Sequence, residues 1–292
     1  MTPLSVVMPV RNARPYLDQS ISSVLGQTFG DFELVIRDDG STDGSREVLR
    51  AWARRDRRIR LHEDDRPLGP AGSSNWVVAH SDAPFVARMD ADDVAHPDRL
   101  RRQLAVLRAH ADVDVVGALS DAVDQHGRRI RPPDRGMLAR SSSHAPFEHG
   151  SMMFRRSAFE RVGGYRERCA YWEDLDLLLR IARDGRIVVL PDVLYTYRYG
   201  GTSTRLTSDQ ELVEAALDLM FRCVAEHERA GSYEHLLAGG TPEQLLPRAI
   251  RAYGTLELWT GRTPSLVPRL LRRAEVRLDA DTATSLVWTA WA

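Results

Sequence analysis

Three aspartates, Asp90, Asp92 and Asp93, follow directly on the apolar stretch Phe85-Val86-Ala87 and the pair Arg88-Met89. Carboxylates this close repel one another unless a positive charge sits among them. Oxygen-only ligands at such spacing suit a hard divalent cation, Mg2+ or Mn2+, which keeps waters and shares a substrate phosphate. An acidic loop that starts a helix has the same composition, because Asp is favoured at helix N-termini. Two further acidic runs stand apart in the chain: Asp38-Asp39-Gly40-Ser41-Thr42-Asp43 and Glu173-Asp174 with Asp176. The first also reads as an Asp-Gly turn with a helix cap. The second holds either a general base or the charge that suits the first turn of a helix.

The elements around these runs alternate. Apolar stretches over 4–10, 32–36, 59–62 and 85–89 have strand length. Between them Leu17, Ile21, Val24 and Leu25, then Val48, Leu49 and Trp52, recur at helical spacing, and the turn over 69–75 starts another short helix. Strand–helix alternation with short links predicts an α/β fold with a mostly parallel sheet and helices on both faces, its functional loops at the carboxyl ends of the strands. Val10 to Asn12, Asp38 to Asp43 and Asp90 to Asp93 all fall on that rim. Further on come a helix over 98–110, a strand over 113–120, an Arg-, Pro- and Ser-rich loop or weak hairpin over 125–146, a strand over 150–156, a short helix over 157–162 closed by Gly163-Gly164, a helix from Glu173, and two short strands over 187–199 broken at Pro191. Beyond about residue 207 only helical patterns remain, which divides the chain into 1–206 and 207–292.

Composition narrows the classes. The 292 residues are 43% hydrophobic and 28% charged with a formal net charge of -1, ordinary values for a globular chain. There is no lysine, so all 40 basic residues are arginines. Near-neutral charge argues against general nucleic-acid binding. Two cysteines, Cys169 and Cys223, imply no disulfide framework. No signal peptide precedes Leu4, and no apolar run approaches the ~18 residues of a membrane span, so a soluble, cytoplasmic protein is expected.

Five stretches together carry a resemblance: Pro9-Val10-Arg11-Asn12, Asp38 to Asp43, Met89 to Asp93, Val162-Gly163-Gly164-Tyr165 and Trp172-Glu173-Asp174. In order and spacing the first two-thirds of the chain resembles glycosyltransferase family 2 with the GT-A fold. The resemblance implies a metal-dependent inverting hexosyl- or N-acetylhexosaminyl-transferase with a nucleotide-sugar donor, most often a uridine one. Pro9, Val10, Arg11, Asn12, Asp38, Asp39, Asn75, Asp90 and Ala91 would then line the donor. Asp38 and Asp39 would hold base and ribose, and Asp92, Asp90 and Asp93 the Mg2+ or Mn2+. Asp174 matches the general base, with Glu173 beside it to position the acceptor; on chemistry alone Asp176 is its rival. His149 and Arg198 are candidates for the diphosphate or acceptor, against a plain loop histidine and a surface arginine. Tyr165 and Trp172 could stack on a sugar, or simply pack in the core. Two departures stand out: Ser74 where the family commonly has an arginine before Asn75, a contact Arg66 or Arg88 could replace, and Gly200-Gly201 where a histidine usually stands.

Two other classes are weighed. A sugar-phosphate nucleotidyltransferase needs a glycine-rich N-terminal loop, which Pro9 to Asn12 lacks. A degenerate nucleotide-sugar-binding module is expected only if Asp174 lies far from the acidic loop. The acceptor stays open among glycan, lipid-linked sugar, peptide and natural product. The basic amphipathic stretch 269–277 suits peripheral contact with the inner face of an anionic membrane or a solvated helix face. Trp288 and Trp291 suit packing on the body or on a second copy, so a homodimer through the C-terminal helices stays open as well.

Overall fold

The computed structural model describes residues 2–130, 147–169 and 171–200 and the single residue Ser232. All but Ser232 fall in one compact unit. Its elements run β1 (Leu4–Val10), α1 (Leu17–Leu25), β2 (Phe32–Asp39), α2 (Ser45–Arg55), β3 (Ile59–Asp64), α3 (Gly69–Ala79), β4 (Phe85–Arg88), β5 (Val94–Ala95), α4 (Arg99–Ala109), β6 (Val113–Val123), β7 (Arg129–Ile130), a 3-10 turn (His149–Ser151), β8 (Met153–Arg155), α5 (Arg156–Arg161), a second 3-10 turn (Glu167–Cys169), α6 (Glu173–Ala182) and β9 (Arg186–Arg198). The sheet order is β3-β2-β1-β4-β8-β6-β9-β5, with β7 paired to β6.

Strand alternation divides the core in two. Leu4, Val6, Met8 and Val10 of β1 join Leu34 and Ile36 of β2 against Leu17, Ile21, Val24, Leu49, Leu100, Leu104 and Leu107 from α1, α2 and α4. On the opposite face Val7, Val35 and Val86 meet Val77 and Val78 of α3, Phe159 of α5, and Leu177, Leu178 and Ile181 of α6. Because both faces are covered, β1 and β2 are buried almost throughout, which is why they read as unbroken apolar runs. The parallel pairings Val10↔Asp38 and Val7↔Arg88 bring the carboxyl ends of β1, β2 and β4 to one edge.

Only that half of the sheet is purely parallel. β8 runs antiparallel to both β4 and β6, and β5 antiparallel to β9. Residues 186–198 form one strand, not two. Pro191 lies exposed where the β6–β9 register slips from Ala118↔Leu190 to Leu119↔Val193, so the missing N–H is absorbed in a bulge and the strand continues. The two-residue β5 has no sequence signal of its own; its pairing with Tyr195 and Thr196 creates it. The weak hairpin is visible as β6–β7 around Gly127, at φ 80°. Its remainder over 131–146, the boundary near 207 and the helices of 207–292 lie outside the described residues. Among those described, no helix is long and apolar enough to cross a membrane.

Helix α6 is fastened by a buried ion pair. Asp176 is fully buried and accepts from Arg180 Nε at 3.0 Å and Arg180 Nη2 at 2.5 Å, while Arg180 also donates to the carbonyls of Val162 and Gly164. Asp176→Ala would strand that guanidinium in the interior. We expect a loss of about 3–5 kcal/mol of stability, read as a lowered midpoint of denaturant unfolding.

Candidate functional site

The first two rim loops are clipped together by Asn12. At φ 51° its backbone N–H donates to Ser41 Oγ at 3.0 Å, and its Oδ1 accepts from Thr42 N at 2.9 Å. Arg14 N donates to Asp43 Oδ2 at 3.0 Å beside it. Pro9, Val10 and Arg11 run along this rim, with Val10 buried and Arg11 exposed. The two aspartates that end β2 point to opposite faces and do different work. Asp39 accepts from Leu68 N at 2.8 Å and Gly69 N at 3.0 Å, and so caps α3 from outside the helix. Asp38 is fully buried; its Oδ2 meets Arg46 Nε at 2.9 Å, while Oδ1 has no hydrogen-bond partner among the described residues. A buried acceptor left this way is costly unless something supplies a donor.

The Asp90 loop follows the last residue of β4. Asp90 Oδ1 accepts from Arg88 Nη2 at 2.8 Å. Ala91 is buried, and Asp92 is half-buried with its carbonyl accepting from Arg198 Nε at 2.8 Å. Asp93 turns inward: Oδ2 accepts from Tyr195 Oη at 2.7 Å and Oδ1 from Arg198 N at 2.7 Å. Burial, with the charges of Asp92 and Asp90, pushes its pKa well above the usual carboxylate range. Asp93, expected in the metal set, therefore spends both oxygens inside the protein. Among the described residues no three His, Cys, Asp or Glu are arranged to hold a metal ion by themselves. Asp90 and Asp92 remain as an oxygen pair at the rim, a set that fits a hard cation sharing its shell with a ligand phosphate.

Arg198 is buried, not a surface arginine. Besides Asp92 and Asp93 it reaches Gln19 Oε1 at 2.7 Å and lies 4.7 Å from the ring of Tyr16. It straps the acid loop to α1. Asn75 is likewise committed: Nδ2 donates to Tyr165 O at 2.9 Å and Oδ1 accepts from Tyr165 N at 2.8 Å. Ser74 accepts from Arg88 Nη1 at 2.8 Å, so Arg88 does reach the position where the family's arginine would stand.

The Tyr165 hydroxyl connects the two acidic regions. It lies 2.7 Å from His149 Nε2, and burial, then the charges of Asp174, Glu173 and Asp90, raise its pKa against the opposing pull of Arg88. Glu173 is buried, Asp174 half-buried, and Asp176 locked to Arg180, so of the three Asp174 is the most open to a ligand. Tyr165 and Trp172 are both buried in the core. Tyr171, just before this acidic turn, has φ 72°, a conformation a bulky side chain rarely adopts.

Three residues that frame the loop carried no functional signal in the sequence. Tyr195 supports Asp93 from β9, about a hundred residues away. Arg99, also buried, donates to Arg88 O at 2.7 Å and to Gln103 Oε1 at 3.1 Å, and its guanidinium lies 5.0 Å from the Tyr195 ring; burial lowers its pKa to about 10. Gly150 leaves space that a side chain would fill: a Cβ there would overlap Tyr195 Oη and lie 2.7 Å from Asp90 Oδ2. An arginine on the apolar side of α4 was the one hint available.

A family model described as glycosyl transferase family 2 matches residues 5–163. A putative glycosyltransferase, EpsE, of Bacillus subtilis (strain 168) is 36% identical over 204 residues, 67% of this chain and 72% of that protein. The O-antigen biosynthesis glycosyltransferase WbnJ of Escherichia coli is 29% identical over 213 residues, 69% of this chain and 82% of its own. Among solved structures, the mannosyltransferase PcManGT from Pyrobaculum calidifontis in complex with GDP-Man and Mn2+ superposes with a TM-score of 0.62 at 23% identity, over 99% of this chain and 84% of that one. S. aureus TarS 1-349 in complex with UDP-GlcNAc gives 0.62 at 18% identity, over 91% and 78%. At these identities the structural likenesses speak to the fold, a GT-A sheet.

Gly150→Ala drives a methyl group between Tyr195 and Asp90. We expect about 1–3 kcal/mol of destabilisation from overpacking, measured by thermal or denaturant melting. Adding Tyr195→Phe, which removes the nearer obstacle, should recover part of the loss.

Proposed function

The chain belongs to glycosyl transferase family 2, and from that premise we propose that it is a metal-dependent inverting enzyme moving a sugar from a nucleoside-diphosphate donor, a uridine one first, to an acceptor hydroxyl. The observation that supports the reading is the carboxylate pair Asp90 and Asp92 at the end of the β4 rim, left there as Asp93 turns inward to Tyr195 and Arg198. In this reading Asp90 and Asp92 serve the donor side and Asp174 the acceptor side of one in-line displacement.

Asp38 supports the donor assignment. Its Oδ1 is a buried acceptor with no partner among the described residues, and the uracil N3–H is a donor of the right kind; the guanine N1–H would serve too. Asp39, in this reading, acts by holding α3 against the rim. Asp174 takes the proton of the acceptor hydroxyl as it attacks the anomeric carbon, and the nucleoside diphosphate departs from the opposite face, with inversion. Glu173, buried beside it, orients the acceptor side, and His149 holds Tyr165 in place at 2.7 Å. A divalent cation held by Asp92 and Asp90 would supply positive charge where the leaving oxygen becomes an anion.

A screen of UDP- and GDP-sugars with Mn2+ or Mg2+, scored by thermal stabilisation and by release of the nucleotide, tests the reading; no response to any of them would overturn it. Asp92→Ala should abolish donor turnover. Asp174→Asn should lower transfer by about 10²–10⁴-fold while nucleotide binding stays close to that of the parent. Undiminished transfer by Asp174→Asn would remove that residue from the base role.

A further inference from the structure

Arg88 lies beneath the acid loop, 6% exposed, at the last position of β4. One end of its guanidinium holds Asp90 Oδ1 at 2.8 Å and the other holds Ser74 Oγ at 2.8 Å, while Nε has no hydrogen-bond partner among the described residues. Glu173 is near enough for its charge, like that of Asp90, to act on the guanidinium. Arg99, the second buried cation under the loop, donates to neutral acceptors, so its charge adds to the field instead of being cancelled by an adjacent carboxylate. Ions in such a place are screened weakly by salt.

We infer that Arg88 is a built-in counter-cation that stands in for the metal while no donor is bound. It occupies one oxygen of Asp90 and opposes a second positive charge beside it, so that a divalent ion settles in the loop only in company with a nucleoside diphosphate. The inference rests on the metal-dependent reading above. Of the three aspartates, Asp93 is consumed by Tyr195 and Arg198 and Asp90 is half consumed by Arg88. The protein's own contribution to a metal shell is thereby small, and the diphosphate supplies both further oxygens and the negative charge that outweighs Arg88. Metal and nucleotide then bind with strong mutual dependence, each raising the affinity of the other by the same factor.

The test is Mn2+ binding to the full chain, followed by the loss of the free-ion signal in electron paramagnetic resonance, without nucleotide and then with UDP or GDP after allowance for Mn2+ held by the nucleotide alone. The parent protein should bind Mn2+ at least about tenfold more tightly with nucleotide than without. Arg88→Met should raise the nucleotide-free affinity at least about tenfold, because the opposing charge is gone. Arg88→Gln keeps a donor for Ser74 without the charge and serves where the methionine variant does not fold. Arg88→Lys, which keeps the charge, should behave like the parent, a distinction that mere structural damage would not produce. Equal nucleotide-free affinity in parent and neutral variants overturns the inference and leaves the metal-dependent reading standing, as does tight binding by the parent without nucleotide. If no form binds Mn2+ with or without nucleotide, the metal-dependent reading falls and the inference with it.

Discussion

The acid loop that follows β4 rests on buried arginines, whose guanidinium groups hold the carboxylate of Asp90 and the backbone on either side of it. Arg88 pairs with Asp90, Arg198 donates its Nε to the carbonyl of Asp92 and its backbone N–H to the carboxylate of Asp93, and the Arg99 guanidinium lies 5.0 Å from the Tyr195 ring. Placing several arginines in the interior is costly unless their donors are nearly all used. The planar fork of arginine meets that condition: Arg99 alone reaches Gln103, the carbonyls of Arg88 and Met152, and the sulfur of Met89. A lysine would bring three donors from one point and could not span those acceptors. In a chain whose basic residues are all arginines, the same device recurs at buried Arg37, which ties Asp39 to the carbonyl of Arg66, and at half-buried Arg180, which ties Asp176 to the carbonyls of Val162 and Gly164.

That foundation gives neighbouring acids different fates. Asp93, facing inward, becomes part of the frame, and Asp90 and Asp92 stay at the rim. The two aspartates that end β2 separate in the same way, one capping α3 and the other buried with one oxygen on Arg46 and the other without a partner among the described residues. Around Glu173 the division repeats, with Asp176 sealed against Arg180 and Asp174 left accessible. In β2 and α6 strand or helix periodicity turns nearby side chains to different faces, and between β4 and β5 a turn does the same, so a run of like residues separates in each case.

How much of this was legible follows from distance along the chain. The first four strands and their helices were readable because each buries a local apolar pattern, and the parallel rim followed from their alternation. The motif positions were readable from residue type and spacing. What the sequence hid depends on partners far away: β5 exists only through β9, Asp39 caps a helix that starts thirty residues later, and Tyr195 supports a loop about a hundred residues upstream. Pro191 looked like a break because a proline forfeits one ladder bond, yet a bulge accommodates it. Arg198 stayed open between a diphosphate contact and a surface arginine because nothing local shows that Gln19 and Tyr16 enclose it.

The course of β9 has a consequence for how such a chain can diversify. Arg198 is bonded to the acid loop and Tyr199 N to Val123 O at 2.7 Å, so the polypeptide leaves the sheet beside that loop. Whatever is joined after residue 200 begins its path there. Sequence change within β9 itself is constrained, because a shift of that strand is passed through Arg198 and Tyr195 straight to Asp92 and Asp93.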